Sequence, residues 1–245
     1  MAGLFRFSNL SVFPELVHGV SGRDFGSVHA ERAGGRKRLA DALGIPLEAL
    51  VPTRQVHGDE VVRVPGPAYG AWTGARGADG LVTATPGRFL LGFFADCVPI
   101  LAYDPAHRAA GLAHAGWRGT LLGIAGRLVA EMAAAFSTRP GELVVGLGPS
   151  IGPCCYEVGA EVLAALGQVR AGDGLLRPSR PGHAYLDLWE ANRRLLVQAG
   201  VPAARIELAG LCTACHVEQF YSYRAEGKLN GLVGAVIGVK SDVGS

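Results

Sequence analysis

No run in this chain of 245 residues approaches the roughly 18 consecutive apolar side chains of a membrane-spanning helix, which excludes a transmembrane span. A surplus of charge is also missing. The 23 Lys and Arg stand against 21 Asp and Glu, a formal net charge of +2. That leaves no electrostatic case for a nucleic-acid or membrane-surface protein. The densest basic run, Arg36-Lys37-Arg38 preceded by Arg32, falls on a predicted helix and reads as its solvated face. The first ten residues hold one Arg and no long apolar block before a small-residue cleavage site, so the protein is expected to stay in the cytoplasm. There is no repeat of solenoid length and no low-complexity linker. The Gly- and Pro-richest stretch, 65–87, still carries Tyr69, Trp72, Leu81 and Val82 and reads as an ordered loop, so one domain over 1–245 is expected. The five cysteines, Cys97, Cys154, Cys155, Cys212 and Cys215, are an odd number, which speaks against a disulfide framework.

What is present is material for a sizeable core: 49% hydrophobic against 18% charged residues. Helical signals cover 32–43, stopped by Gly44 and Pro46, and 121–136, where Leu121, Ile124, Ala125, Leu128, Met132 and Phe136 recur on one face. A third covers 158–169. A fourth starts at a cap, Asp187, with Leu188, Ala191, Leu195 and Ala199 as its apolar line. Strand-length apolar runs fall at 61–64, 89–94, 98–103, 109–114, 142–147, 205–208 and 232–239. Such alternation predicts α/β content, with helices packed on sheets. The short links at Ala95-Asp96 and between Asp104 and Ala109 suggest hairpin-type neighbours, hence mixed sheet topology (α+β).

Three dispersed residues carry the strongest chemistry: His57, Cys97 and His114. Two imidazoles and one thiolate suit a zinc ion held by three protein ligands, with the fourth position open. Cys97 stands where one strand run ends and the next begins, and His114 ends a run before a glycine turn. Rigid sheets place such residues at the edge of a cleft. The wide separations are unlike the local ligand pairs of zinc fingers. Spacing therefore leaves two other readings open: ordinary histidines beside a buried cysteine, or a cysteine hydrolase with Cys97 as nucleophile and His114 or His57 as base.

The segments around these residues resemble one family. Arg54-Gln55-Val56-His57-Gly58, Ala78-Asp79-Gly80-Leu81-Val82-Thr83, Ala95-Asp96-Cys97-Val98-Pro99-Ile100 and His114-Ala115-Gly116-Trp117-Arg118-Gly119-Thr120 are similar to blocks of the laccase-domain, or multifunctional purine nucleoside phosphorylase, family. So are Gly148-Pro149-Ser150-Ile151-Gly152, Cys155-Tyr156-Glu157-Val158 and Phe220-Tyr221-Ser222-Tyr223-Arg224, all in the family's order. Bacterial members have also been labelled peptidoglycan-editing factors, and earlier polyphenol oxidases or laccases. The resemblance implies that His57, Cys97 and His114 hold zinc. It also implies phosphorolysis of adenosine, inosine, guanosine and methylthioadenosine, and deamination of adenosine. Purine nucleosides and phosphate would then be the partners, with no nucleic acid and no membrane; the oligomeric state is undetermined. Arg23, Arg118 and Arg224 are candidate phosphate or substrate contacts, because a guanidinium matches phosphate bidentately. Gln55 and Asp96 neighbour the ligands and would orient them, substrate or water. Asp96 and Glu157 are the nominees for acid or base catalysis, beside Cys97 itself.

The chain departs from the family's pattern on the substrate side. Arg224-Ala225 stands where paired arginines are common, and Lys228-Leu229-Asn230-Gly231 replaces a Thr-Gly-Arg. Near Gly22-Arg23-Asp24-Phe25-Gly26, Ser27-Val28-His29 stands in place of the usual Asn-Leu-Gly. Copper oxidation of phenols needs about ten His, Cys and Met ligands, and this chain has seven histidines and no H-x-H. Copper is therefore the poorer metal. Cys212-Thr213-Ala214-Cys215-His216 matches the short haem-attachment pattern by chance. Its two cysteines would make half of a zinc ribbon, but no second spaced pair exists, so Cys154, Cys155, Cys212 and Cys215 are expected as small buried thiols. The turn 146–152 is neither a dinucleotide fingerprint nor a Walker loop. Trp117, Tyr156, Phe220 and Tyr223 are available either to stack on a purine or to pack the core. A partner protein without activity of its own, acting in cell-wall metabolism, is a further alternative.

Overall fold

Along its central strands the sequence buries both faces, and this produces four layers. The computed structural model describes residues 3–29, 33–66, 77–167 and 174–241. Arg32, Tyr69, Trp72 and positions 168–169 of the predicted third helix lie outside the described residues. In β7 (Val98–Asp104), Ile100 and Ala102 enter a core shared with helices, while Leu101 and Tyr103 enter a core between two sheets. Period-two alternation between two apolar environments leaves no polar face, so the strand reads as an unbroken hydrophobic run.

β7 is central in a six-stranded sheet ordered β13 (Ile206–Leu208), β9 (Val144–Leu147), β7, β8 (Ala109–Ala115), β5 (Gly80–Thr83) and β4 (Val61–Arg63). Against it lies a five-stranded sheet ordered β1 (Leu4–Phe5), β2 (Leu16–Ser21), β14 (Val233–Val239), β6 (Phe89–Phe94) and β3 (Leu50–Pro52). Both are mixed, as expected: β3–β6, β4–β5 and β9–β13 pair in parallel, and the other neighbours are antiparallel. A small antiparallel sheet, β10 (Glu157–Val158), β12 (Ala184–Leu186) and β11 (Leu176–Pro178), flanks them.

Between the large sheets, Val20, Leu90, Ala235 and Ile237 meet Leu81, Leu101, Tyr103 and Leu112. On the outer faces, α2 (Ala33–Leu43) lays Leu39, Ala40 and Leu43 over the five-stranded sheet. α4 (Ile124–Phe136), with Ile124, Leu128, Val129 and Met132 inward, covers the six-stranded one beside α6 (Leu188–Gln198). The predicted cap holds: the Asp187 side chain accepts the Glu190 N–H, satisfying one of the helix's unpaired donors. Shorter helices are α1 (Ser8–Ser11), α3 (Trp117–Leu122), α5 (Ala160–Gly167) and α7 (Tyr223–Glu226). Among the described residues no helix is long and apolar enough to cross a membrane.

Two local expectations are corrected. The helix beginning at Leu121 is two helices, because Gly123 at φ 85° closes α3 with a left-handed residue before α4 starts. The runs either side of Ala95-Asp96-Cys97 are not hairpin partners: β6 and β7 belong to different sheets, and these three residues carry the chain across. The β7–β8 hairpin is present as expected.

Candidate metal centre and cavity

That crossing positions the site. Cys97 immediately precedes β7, His114 is the penultimate residue of β8 opposite Pro99, and His57 lies in the loop following β3 of the other sheet. Non-glycine residues seldom adopt positive φ, and two here do: Asp96 at 86° and His57 at 63°. The three donor groups of His57, Cys97 and His114 lie within 4.8 Å of one another. The two imidazoles meet edge-on, centroids 4.9 Å apart. His114 is buried, Cys97 half-buried and His57 exposed, so the trio opens outward.

Asp79, at the head of β5, organises it. Its Oδ1 lies 2.7 Å from His114 Nδ1 and accepts the His57 N–H at 3.0 Å. Its Oδ2 accepts the Val56 and Gly58 N–H groups, each at 2.9 Å. Burial works to raise the Asp79 pKa, but the bonds from His114 and those two N–H groups outweigh it and hold the carboxyl below its ordinary value. With Asp79 ionised, Nδ1 of His114 carries the proton and Nε2 keeps its lone pair, the tautomer a metal ligand needs. Burial also holds His114 below its ordinary pKa, hence neutral.

Cys97 behaves oppositely. Burial, with the Asp96 and Asp79 carboxylates, pushes its thiol up to about 12. Among the described residues no cation lowers the Cys97 pKa, which disfavours a cysteine nucleophile; a divalent metal would supply the missing positive charge. Gly116 makes the room. Its backbone is ordinary at φ −75°, but a Cβ would lie 3.0 Å from Cys97 Sγ and 3.3 Å from His57 Cδ2.

A cavity of about 950 Å³ opens over the trio. Of the residues singled out from sequence, Gln55, Asp96, Arg118 and Arg224 line it together with His57, Cys97 and His114; Glu157 and Arg23 do not. Gln55 spends its amide on backbone: Nε2 donates to the Phe93 carbonyl at 2.8 Å and Oε1 accepts the Phe93 N–H at 2.9 Å, pinning the His57 loop to β6. Asp96 is similarly engaged, accepting from Thr213 Oγ1 and from the Arg224 N–H, each at 2.7 Å. Arg224 donates to the Glu157 carbonyl at 2.7 Å and lies over the Tyr156 ring. Arg118 reaches Glu161 and covers Trp117. The Glu157 carboxylate instead takes Ser179 and Arg180, which keep it below its ordinary pKa. Arg23 pairs with Glu226 at 2.6 Å and lies over Tyr221.

Sequence reasoning missed two contributors. Arg36 is not on a solvated face: it lines the cavity over the Phe93 ring, its Nε buried without a hydrogen-bond partner and its pKa lowered by burial. Arg54 also lines the cavity, and its position three residues before His57 was the available signal. Of the aromatics, Trp117, Tyr156 and Tyr223 line the cavity, whereas Phe220 is core. The expectation of four small buried thiols is corrected: only Cys212 is buried, Cys155 is half-buried, Cys154 and Cys215 are exposed, and the four converge.

The family described as multi-copper polyphenol oxidoreductase laccase matches residues 21–240. A protein of Geobacillus stearothermophilus named purine nucleoside phosphorylase YlmD is 40% identical over 214 residues, 84% of this chain and 78% of that one. A purine nucleoside phosphorylase of Deinococcus radiodurans is 37% identical over 247 residues, covering 96% of this chain and 92% of its own. The crystal structure of YlmD from Geobacillus stearothermophilus superposes with a TM-score of 0.87 at 34% identity, covering 98% and 97% of the two chains.

Proposed function

The chain belongs to the multi-copper polyphenol oxidoreductase laccase family, and from that premise we propose that it is a zinc-dependent purine nucleoside phosphorylase that also deaminates adenosine. The observation that carries this reading is the convergence of His57, Cys97 and a tautomer-locked His114 beneath a cavity rimmed by Arg36, Arg54, Arg118 and Arg224. Relatives bearing the phosphorylase name support the reaction class.

The donor set favours zinc over copper. Two histidines and one cysteine also occur in blue-copper sites, but those take a weak axial ligand such as Met. Met132, the one methionine among the described residues, is buried on the inner face of α4. His18, His107 and His183 bond to Phe7, Asp104 and Pro181, so no further histidine cluster forms from them. Among the described residues, phenol oxidation by a trinuclear copper cluster lacks its histidine ligands.

In phosphorolysis a phosphate oxygen bonds to the ribose C1′ as the bond from C1′ to the purine nitrogen breaks, giving ribose 1-phosphate and the free base. The cavity's guanidinium groups would hold the phosphate dianion and aim it. Trp117, Tyr156 and Tyr223 would bracket the purine. Asp96, with both oxygens engaged, positions the Arg224 segment. When bound, zinc supplies Lewis acidity strong enough to lower a water's pKa towards about 7. Adenosine, inosine, guanosine and methylthioadenosine are the proposed substrates, in the cytoplasm.

Chromatography of each nucleoside incubated with and without phosphate tests the proposal, alongside Cys97→Ala. Free base formed only with phosphate, and inosine formed from adenosine, both lost in the variant, are the expected results. Full activity in metal-free protein with Cys97 alkylated or replaced would overturn it.

A further inference from the structure

The four cysteines outside the trio come from two distant segments that the sheet brings side by side. β9 and β13 are parallel neighbours, Val145 opposite Ile206 and Leu147 opposite Leu208, so both chains leave the sheet at the same end. The pairing continues past the strands. The Ser150 N–H donates to the Leu211 carbonyl at 3.2 Å, the Thr213 N–H donates to the Ser150 carbonyl at 3.1 Å, and Ser150 and Cys212 form a parallel bridge. Cys154 and Cys155, just beyond Ser150, therefore face Cys212 and Cys215. All four sulfurs lie within 4.8 Å of one another, with Cys154 to Cys215 at 3.6 Å and Cys155 to Cys215 at 3.4 Å.

Those separations identify the chemistry. A disulfide requires about 2.05 Å between sulfurs. Four thiolates about 2.3 Å from one tetrahedral zinc stand about 3.8 Å from each other. Cys212 is also prepared as a ligand, its Sγ accepting the Gly152 N–H at 3.2 Å. The Cys212-to-Cys215 turn is closed by bonds from the Cys215 and His216 N–H groups to the Cys212 carbonyl, which fixes two of the four sulfurs on one rigid bend.

We propose that Cys154, Cys155, Cys212 and Cys215 form a second metal site, taking zinc as a soft divalent cation, separate from the trio. Four protein ligands leave no open position, so this site is structural rather than catalytic. It clamps the 148–156 turn to the 210–216 segment. The first carries part of the cavity wall, Ile151 and Tyr156, and its Cys155 carbonyl accepts from Arg224; the second supports that wall from behind, Thr213 donating to Asp96. The inference does not depend on which reaction the cavity performs.

The test is zinc titration of full-length, metal-free protein kept reduced, with bound metal counted by mass spectrometry. Two equivalents are expected for the natural chain and one each for Cys215→Ser, Cys154→Ser and Cys97→Ala, circular dichroism confirming the fold of each. Cys154 and Cys215 are exposed, so serine there disturbs little packing. Cobalt bound to Cys97→Ala should show intense thiolate-to-metal charge transfer that Cys215→Ser, retaining only the trio, shows more weakly. A single equivalent in the natural chain that is lost in Cys97→Ala and kept in Cys215→Ser, or two retained by both cluster variants, overturns the proposal. So does a disulfide among these four cysteines that persists in the reductant.

Discussion

One carboxylate, that of Asp79, takes donors from three successive backbone N–H groups and one imidazole, so it shapes the His57 loop and fixes the His114 tautomer together. Asp79→Asn is expected to weaken zinc binding about 10–100-fold, measured by competition against a chelator; unchanged affinity would contradict its role. Its depressed pKa also gives a sign in pH. The stability it contributes is fully present above the unfolded value near 3.8 and is lost as pH falls through the lower folded value. Acid unfolding of the metal-free protein should therefore be less steep below about pH 4 in Asp79→Asn. Cys97 acts on binding instead: its thiol, raised to about 12, must lose a proton to ligate. Zinc affinity at the trio should rise close to tenfold per pH unit around pH 7–8, with about one proton released per metal from this residue; a flat profile by calorimetry in paired buffers would refute that. Gly116→Ala should lower affinity while leaving the fold intact, since the added carbon presses on Cys97 and His57. The convergence of His57, Cys97 and His114 was legible from the segments that contain them. Arg36 was not, because a basic run on a helix gives no sign that one member turns inward over Phe93.

Secondary-structure elements were readable where packing imposes a period. α4 shows a continuous apolar face because it covers a sheet, and β6, β7, β8 and β14 show runs because both their faces are buried. Strands of two or three residues such as β1, β3, β10 and β12 carry too little period to announce themselves. The break at Gly123 was equally hidden, since Leu121 and Ile124 keep helical spacing across it. Asp187→Ala should cost about 1 kcal/mol through the lost cap, visible as a lower midpoint in denaturant with the same slope. No change in midpoint would show that another group satisfies the Glu190 N–H.

For the molecule as a whole, the site depends on how the two large sheets lock together, because His57 hangs from one while Cys97 and His114 belong to the other. Gly92 of β6 receives Leu112 of β8 and sits against Phe94, whose ring lies 5.4 Å from that of His114. Gly92→Ala, with its new carbon 2.8 Å from both side chains, should destabilise the fold by about 1–3 kcal/mol. It should also weaken metal binding at a distance; a stability loss with full metal affinity would show that sheet packing and site are uncoupled. Pairing between the sheets was invisible in the sequence, where Ala95-Asp96-Cys97 reads as a tight turn between neighbours although it crosses layers. The central claim is that a zinc-bound trio under an arginine-rimmed cavity cleaves purine nucleosides with phosphate. The most direct measurement is ribose 1-phosphate formed from adenosine by the chain as purified, after chelation, and after zinc is returned. The account predicts product that needs phosphate, disappears on chelation and returns with zinc; undiminished product from metal-free protein carrying Cys97→Ala would contradict it.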